Sequence, residues 1–173
     1  TRVGGWASWE ECQRARVAAL AKLEAIEGGN TAAMRSATRD AAMLSLLTLI
    51  PPDRVGVVRK LRFGHSLIRR DGGGWRLDLT KFRDAHKTSR FYGAFCAKLP
   101  EELDSILDKY SSILALELGG EYAYLFYPPQ AGAMDRPLEP SAWTAAVRRV
   151  FGKHMGKAIA PKTLRSIFIT WLK

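Results

Sequence analysis

The run from Ser66 to Leu79 limits the fold of this chain more than any other stretch. Ser66-Leu67-Ile68 and Trp75-Arg76-Leu77-Asp78-Leu79 flank Asp71-Gly72-Gly73-Gly74, and glycines are the residues that tolerate the positive φ a tight hairpin turn demands. Alternation sets Trp75, Leu77 and Leu79 on one face of the second strand. A third strand, Phe91 to Ala97, follows a basic connector at 80–90. A small three-stranded antiparallel sheet is therefore expected in the middle of the chain.

Helical patterns surround it. Ser8-Trp9-Glu10-Glu11 has the form of a capping box, and Trp9, Cys12, Leu20, Leu23 and Ile26 recur at helical spacing, giving a first helix over about 9–27 that Gly28-Gly29-Asn30 ends. Thr38 and Asp40 suit the first turn of a second helix carrying Met43, Leu44, Leu46, Leu47 and Ile50, which Pro51-Pro52 stops. Asp53 to Leu61 reads as a short helix with Val55, Val58 and Leu61 inward, a strand being the alternative. Pro100-Glu101-Glu102 opens a helix with Leu103, Ile106, Leu107, Tyr110, Ile113 and Leu114 as its buried stripe, closed by Gly119-Gly120. After an extended aromatic piece, Tyr122 to Tyr127, and a loop from Pro128 to Pro140, Ser141 is expected to cap a helix bearing Trp143, Val147, Val150 and Phe151. A last helix begins near Pro161. The fold class is α+β and mainly helical.

Charge bears on partners. The chain has a net charge of +10, which attracts polyanions and repels itself unless a partner neutralises it. From Arg54 to Arg90 eleven Lys or Arg face three Asp, and seven basic residues follow Glu139 with no acid among them. Solvated basic surface accounts for a charge run equally well, so the residue types must decide. No apolar run approaches the roughly 20 residues of a membrane helix, and no membrane partner is expected. Cys12 and Cys96 make no CxxC pair, which argues against zinc and against a secreted disulfide framework. Neither a metal nor a cofactor is expected. The sequence lacks GxxxxGK[ST] and GxGxxG stretches and a Ser/His/Asp arrangement, so nucleotide hydrolysis and hydride transfer have no support. Beginning at Thr1 without an apolar leader, the chain reads as an excised fragment with no visible address. Tyr122, Tyr124, Phe126 and Tyr127 could stack bases, but with no basic residue among them they read rather as core.

Three segments, in order, resemble the catalytic domain of the tyrosine recombinase (phage integrase) family. Leu46-Leu47-Thr48 to Leu61, with Arg54 opening a helix, is similar to the family's "LLxTGxRxxExxxLxxxDI", although Pro51-Pro52-Asp53 stands in place of Thr-Gly-x and Val57 in place of Glu. Lys87-Thr88-Ser89-Arg90, after the hairpin, resembles the "KT" turn that carries the family's catalytic lysine, with Lys81 a competitor for that role. Ala160 to Leu172 is similar to "xPHxLRHxFATxL", with Lys162 in place of the first His and Ser166 in place of a common second. The matches span 39–173 as a partial catalytic domain, leaving 1–38 as an N-terminal helix and linker region. The layout resembles eukaryotic mobile-element members of the crypton-like type.

The resemblance implies the family's fold and chemistry. A tyrosine hydroxyl attacks a DNA phosphodiester to give a 3'-phosphotyrosyl link and a free 5'-hydroxyl, storing bond energy so that no ATP is needed. Arg54 and Arg165 would donate to the non-bridging oxygens of the transition state, a planar fork of permanent charge suiting that task. Lys87 would protonate the leaving 5'-oxygen, and Lys162 would donate to the same phosphate. Arg59, Lys60, Arg62, Lys81, Arg83, Arg90, Arg148, Arg149, Lys153 and Lys157 are the expected DNA contacts. Every tyrosine precedes Lys162, whereas the family's nucleophile follows that segment, so the fragment is expected to bind double-stranded DNA without cutting it. Self-assembly on DNA would come through the missing C-terminal part. A nuclear location follows if the source is eukaryotic, a cytoplasmic one otherwise.

Overall fold

The computed structural model describes residues 6–26, 28, 30–52, 56–80, 96–119, 123–130 and 133–173. Among them are five α-helices and three strands: α1 (Trp9–Glu24), α2 (Thr31–Leu49), β1 (Leu67–Arg69), β2 (Trp75–Asp78), β3 (Cys96–Lys98), α3 (Asp104–Leu118), α4 (Pro140–Met155) and α5 (Pro161–Trp171). The fold class is the expected one, mainly helical α+β with a small antiparallel sheet. The chain divides into two compact units, one of residues 1–55 with 139–173 and one of residues 56–138. The boundary expected at residue 38 falls inside α2, because the first helix packs on the second rather than standing apart.

The first unit is all helical. The capping box forms as read: the Ser8 hydroxyl accepts from the Glu11 amide at 3.1 Å and the Glu11 carboxylate accepts from the Ser8 amide at 2.7 Å, satisfying two amides that a helix start leaves open. The buried stripe of α1 is Trp9, Cys12, Ala15, Ala19 and Leu23. Leu20 and Ile26, expected on that stripe, are half-buried. Two alanines take the inward positions, and small side chains permit close approach to α2, α4 and α5, on all of which α1 packs.

Helix α2 starts seven residues earlier than expected, at Thr31. Asn30 caps it, its side-chain oxygen accepting from the Ala33 amide at 3.0 Å. Thr38 and Asp40, which looked like an N-terminus, lie buried in mid-helix. The Thr38 hydroxyl donates back to the Met34 carbonyl at 2.7 Å, the usual way a hydroxyl is satisfied inside a helix. From Ala41 to Thr48 every residue is buried, as in a helix that is covered on all sides. Gln13 of α1 ties the two helices by donating to the Thr48 carbonyl at 2.7 Å. Helix α4 begins at Pro140, one residue before the serine expected to cap it, with Glu139 as N-cap.

The second unit holds the sheet, in order β1-β2-β3 and antiparallel throughout. Trp75, Leu77 and Leu79 are all buried, as the alternation predicts. At the turn the Arg70 amide donates to the Gly74 carbonyl at 2.9 Å, and Gly73 and Gly74 have φ of +93° and +82°. The positive φ favours glycine at Gly74, and a side chain there would in addition press on the Asp104 carboxylate at 3.2 Å. Of the third strand expected over 91–97, residues 91–95 lie outside the described residues; among the described ones the strand is Cys96–Lys98, one residue further than expected at its end. The short helix expected over 53–61 is a single 3-10 turn at Val58–Lys60, with 53–55 outside the described residues.

Residues 61–63 run beside 123–125: the Phe63 amide donates to the Ala123 carbonyl at 3.1 Å and the Leu125 amide to the Leu61 carbonyl at 3.1 Å. The Phe63 ring then meets Trp75 at 5.4 Å and Tyr110 at 6.1 Å between centroids. Tyr110, of α3, is fully buried and its hydroxyl donates to the Leu125 carbonyl. Phe126 is fully buried, while Tyr124 and Tyr127 are half-buried. The aromatic segment is therefore largely core, as its lack of interleaved basic residues suggested; Tyr122 lies outside the described residues.

Candidate functional site

Helix α5 begins without a side-chain cap. Ala160 is its N-cap in extended conformation and Pro161 is the first helical residue, where proline's missing amide costs nothing. Leu164 and Ile167 turn inward and bury fully or nearly so, which fixes the helix's rotation. Lys162 is thereby left exposed and Arg165 half-exposed. Three residues apart, they lie on one face of the first turn. Neither forms an ion pair or side-chain hydrogen bond among the described residues. Two cations beside amides that no side chain caps form a setting where the helix dipole and the side chains favour the same thing, an anion. Ser166 does not add to it: its hydroxyl donates back to the Lys162 carbonyl at 3.3 Å.

Of the other three residues bound to the expected chemistry or in contention for it, Arg54, Lys87 and the competitor Lys81 all lie outside the described residues. So do Arg83 and Arg90 among the expected DNA contacts. Among the described residues, the candidates that share a site are Lys162 and Arg165.

The remaining basic candidates differ in what they face. Arg148 of α4 is exposed and has no ion pair among the described residues. Its neighbours are engaged. Arg149 and Lys153 reach Asp40 at 3.2 and 3.0 Å, and Lys157 reaches Glu11 at 2.8 Å. Asp40 is 1% exposed. Burial alone would push its carboxyl up, but the Lys153 hydrogen bond and the Arg149 charge outweigh burial and hold it below the usual carboxylate range. His154 Nε2 stands 3.5 Å from the same carboxylate without hydrogen-bonding geometry. Burial pushes this imidazole below its ordinary value against the pull of Asp40. Three cations read as DNA contacts are thus also the internal counter-ions of two acids on other helices.

In the second unit Arg59 donates to the Leu138 carbonyl at 2.7 Å, Arg62 lies over the Tyr124 ring at 5.0 Å, and Lys60 is half-buried without an ion pair. Asp40 is the residue the sequence reading misplaced. The signal available was a single carboxylate within an apolar helix, which must find a cation if the helix is buried on all sides. Among the described residues no group of three His, Cys, Asp or Glu is placed to hold a metal, and no helix is long and apolar enough to cross a membrane. No protein-family model, curated protein or solved structure matches the chain.

Proposed function

We propose that this chain is the greater part of the catalytic domain of a tyrosine recombinase, an enzyme that cuts and rejoins duplex DNA through a 3'-phosphotyrosyl intermediate. The observation that carries the reading is the open turn at the start of α5, where Lys162 and Arg165 share a face beside amides that no side chain caps. A fixed guanidinium aimed at a phosphate is the main lever a protein has on the charge that grows in phosphoryl transfer. In this reading Arg165 and Arg54 supply that charge, Lys162 adds a donor, and Lys87 or Lys81 protonates the leaving oxygen. No cofactor or metal takes part.

The nucleophile would come from outside these 173 residues. All five tyrosines precede Lys162 in sequence, and the Tyr110 hydroxyl is held by a backbone carbonyl in the core. By itself the chain should bind duplex DNA and leave it intact. Assembly on DNA would fall to the same missing part, and the working compartment is the nucleus in a eukaryote or the cytoplasm otherwise.

A second reading is a non-catalytic DNA-binding or scaffold module of the same fold. It is favoured by one observation: Arg149, Lys153 and Lys157 spend their charge on Asp40 and Glu11. The test uses the chain extended through its downstream coding sequence and a nicked suicide duplex, with covalent adduct read on a denaturing gel. An adduct should form, and Arg165→Lys or Arg54→Ala should reduce it by about 100-fold or more with duplex affinity largely kept. A binder would show no adduct, and each change would lower the salt dependence of binding by about one unit of slope. An adduct formed by the 173 residues alone, or one indifferent to Arg165→Lys, would overturn the proposal.

A further inference from the structure

The solvent face of the sheet sets two exposed cations directly opposite each other. Arg76 of β2 and Lys98 of β3 are direct partners in the ladder. The Leu99 amide donates to the Trp75 carbonyl at 2.9 Å, which makes 75–99 a hydrogen-bonded pair and 76–98 the non-hydrogen-bonded pair beside it. In such pairs the side chains come closest, with Cα atoms about 4.5 Å apart. Like charges directly opposite each other destabilise a sheet.

Neither cation is well neutralised. Arg76 is 4.0 Å from Asp78, at the limit of an ion pair, and Asp78 has Thr80 as its closer partner at 2.5 Å. Lys98 is 3.6 Å from Glu101, whose side chain is 82% exposed, a pair of little worth in water. Arg70 lies two residues beyond Ile68, the β1 partner of Arg76, and so on the same side of the ribbon; it is exposed and has no ion pair among the described residues. The opposite face behaves otherwise. There Arg69 lies over Trp75 at 4.9 Å and pairs with Asp108 at 3.1 Å. One face of the ribbon satisfies its arginine; the other sets Arg76 beside Lys98, with Arg70 diagonal to Arg76.

We propose that the solvent face of this sheet is a phosphate-binding surface, with Arg76 and Lys98 gripping the sugar–phosphate backbone of duplex DNA and Arg70 extending the grip. Complementary charge identifies a polyanion, because a phosphate oxygen set between the two cations converts their repulsion into two charge-assisted hydrogen bonds. That the polymer is duplex DNA rests on the reading given under Proposed function; the arrangement of charge does not. The surface positions DNA and reads no sequence, since backbone contacts carry none.

The test is fluorescence anisotropy of a mixed-sequence duplex with the 173-residue chain over a range of salt. Arg76→Gln with Lys98→Gln should lower the salt slope by about two units, near 0.9 for each phosphate no longer neutralised, and weaken binding. Without DNA, Lys98→Gln alone should leave the melting temperature unchanged or raise it, because it relieves the cross-strand repulsion. An unaltered slope, or a melting temperature lowered by Lys98→Gln, overturns the proposal. Lys162→Gln with Arg165→Gln, run alongside, separates the two readings: loss of affinity in that pair only would sink the sheet surface and leave the recombinase reading, while loss in the Arg76 and Lys98 pair only would do the reverse. Anionic vesicles form a further arm, and binding to them that equals duplex binding and depends on the same two residues would also overturn it.

Discussion

The two units of this protein hold positive charge in different ways. In the helical unit two cations of α4, Arg149 and Lys153, converge on one carboxylate, Asp40, buried in the middle of α2, and Lys157 takes Glu11. In the sheet unit cations sit over aromatic rings, Arg62 over Tyr124 and Arg69 over Trp75, or stand side by side on an exposed strand face. The first arrangement joins helices remote in sequence; the second covers the rim of a hydrophobic core with amphipathic side chains. A count of basic residues does not distinguish these uses. What distinguishes them is whether a buried acid lies within reach.

That contrast can be broken experimentally. Asp40→Ala should have the largest effect, about 2–3 kcal/mol of unfolding free energy by urea titration. This is below the usual cost of breaking a buried pair because Arg149 and Lys153 retain partial access to water. Hydrogen exchange at Leu77 and Ala97 should be unaffected; faster exchange there would show that Asp40 supports both units alike. Asp108→Ala is the counterpart in the sheet unit. It removes a half-exposed partner of Arg69 and the acceptor of the Trp75 indole N–H at 2.9 Å, and should cost about 1–2 kcal/mol, most of it the stranded indole. A cost equal to that of Asp40→Ala would erase the distinction.

The smallest expected effect is on pH dependence. Asp40 and His154 both titrate lower in the folded protein than in an unfolded chain, so the folded state binds fewer protons and stability falls as pH falls. The His154 contribution is present in full above its unfolded value, about 6.5, and is lost as pH drops below it; that of Asp40 is lost below about 4. His154→Gln should flatten the upper part of the curve and leave the lower part. An unchanged slope between about pH 7.5 and about pH 5 would mean that the imidazole is already free to charge in the folded protein.

Local chemistry was legible in the sequence and remote chemistry was not. The capping box at Ser8 and Glu11, the facing of Trp75, Leu77 and Leu79 and the start of α5 at Pro161 each depend on residues a few positions apart, and each formed as read. Thr38 and Asp40 misled because a hydroxyl and a carboxylate ahead of an apolar run have the pattern of a helix start. Their actual partners are a carbonyl one turn back and cations 109 and 113 residues further on. The Arg76 and Lys98 pairing needed the register of the third strand against the second, which alternation within either strand does not supply. At the candidate site the sequence selected Lys162 and Arg165, whose shared face follows from their spacing. What no spacing could supply was the lack of a cap on α5 and the bond of the exposed Ser166 hydroxyl back to the Lys162 carbonyl.

The pairing of Asp40 with cations of α4 also has a temporal side. Lys153 follows Asp40 by 113 residues, so on a ribosome adding about 5–20 residues per second the acid is made roughly 6–23 s before its counter-ion. During that interval the entire sheet unit is synthesised, and α2 carries an unmatched negative charge that opposes its burial. Final packing of α2 around Asp40 is thereby expected to wait for α4, and the intervening unit is free to fold first.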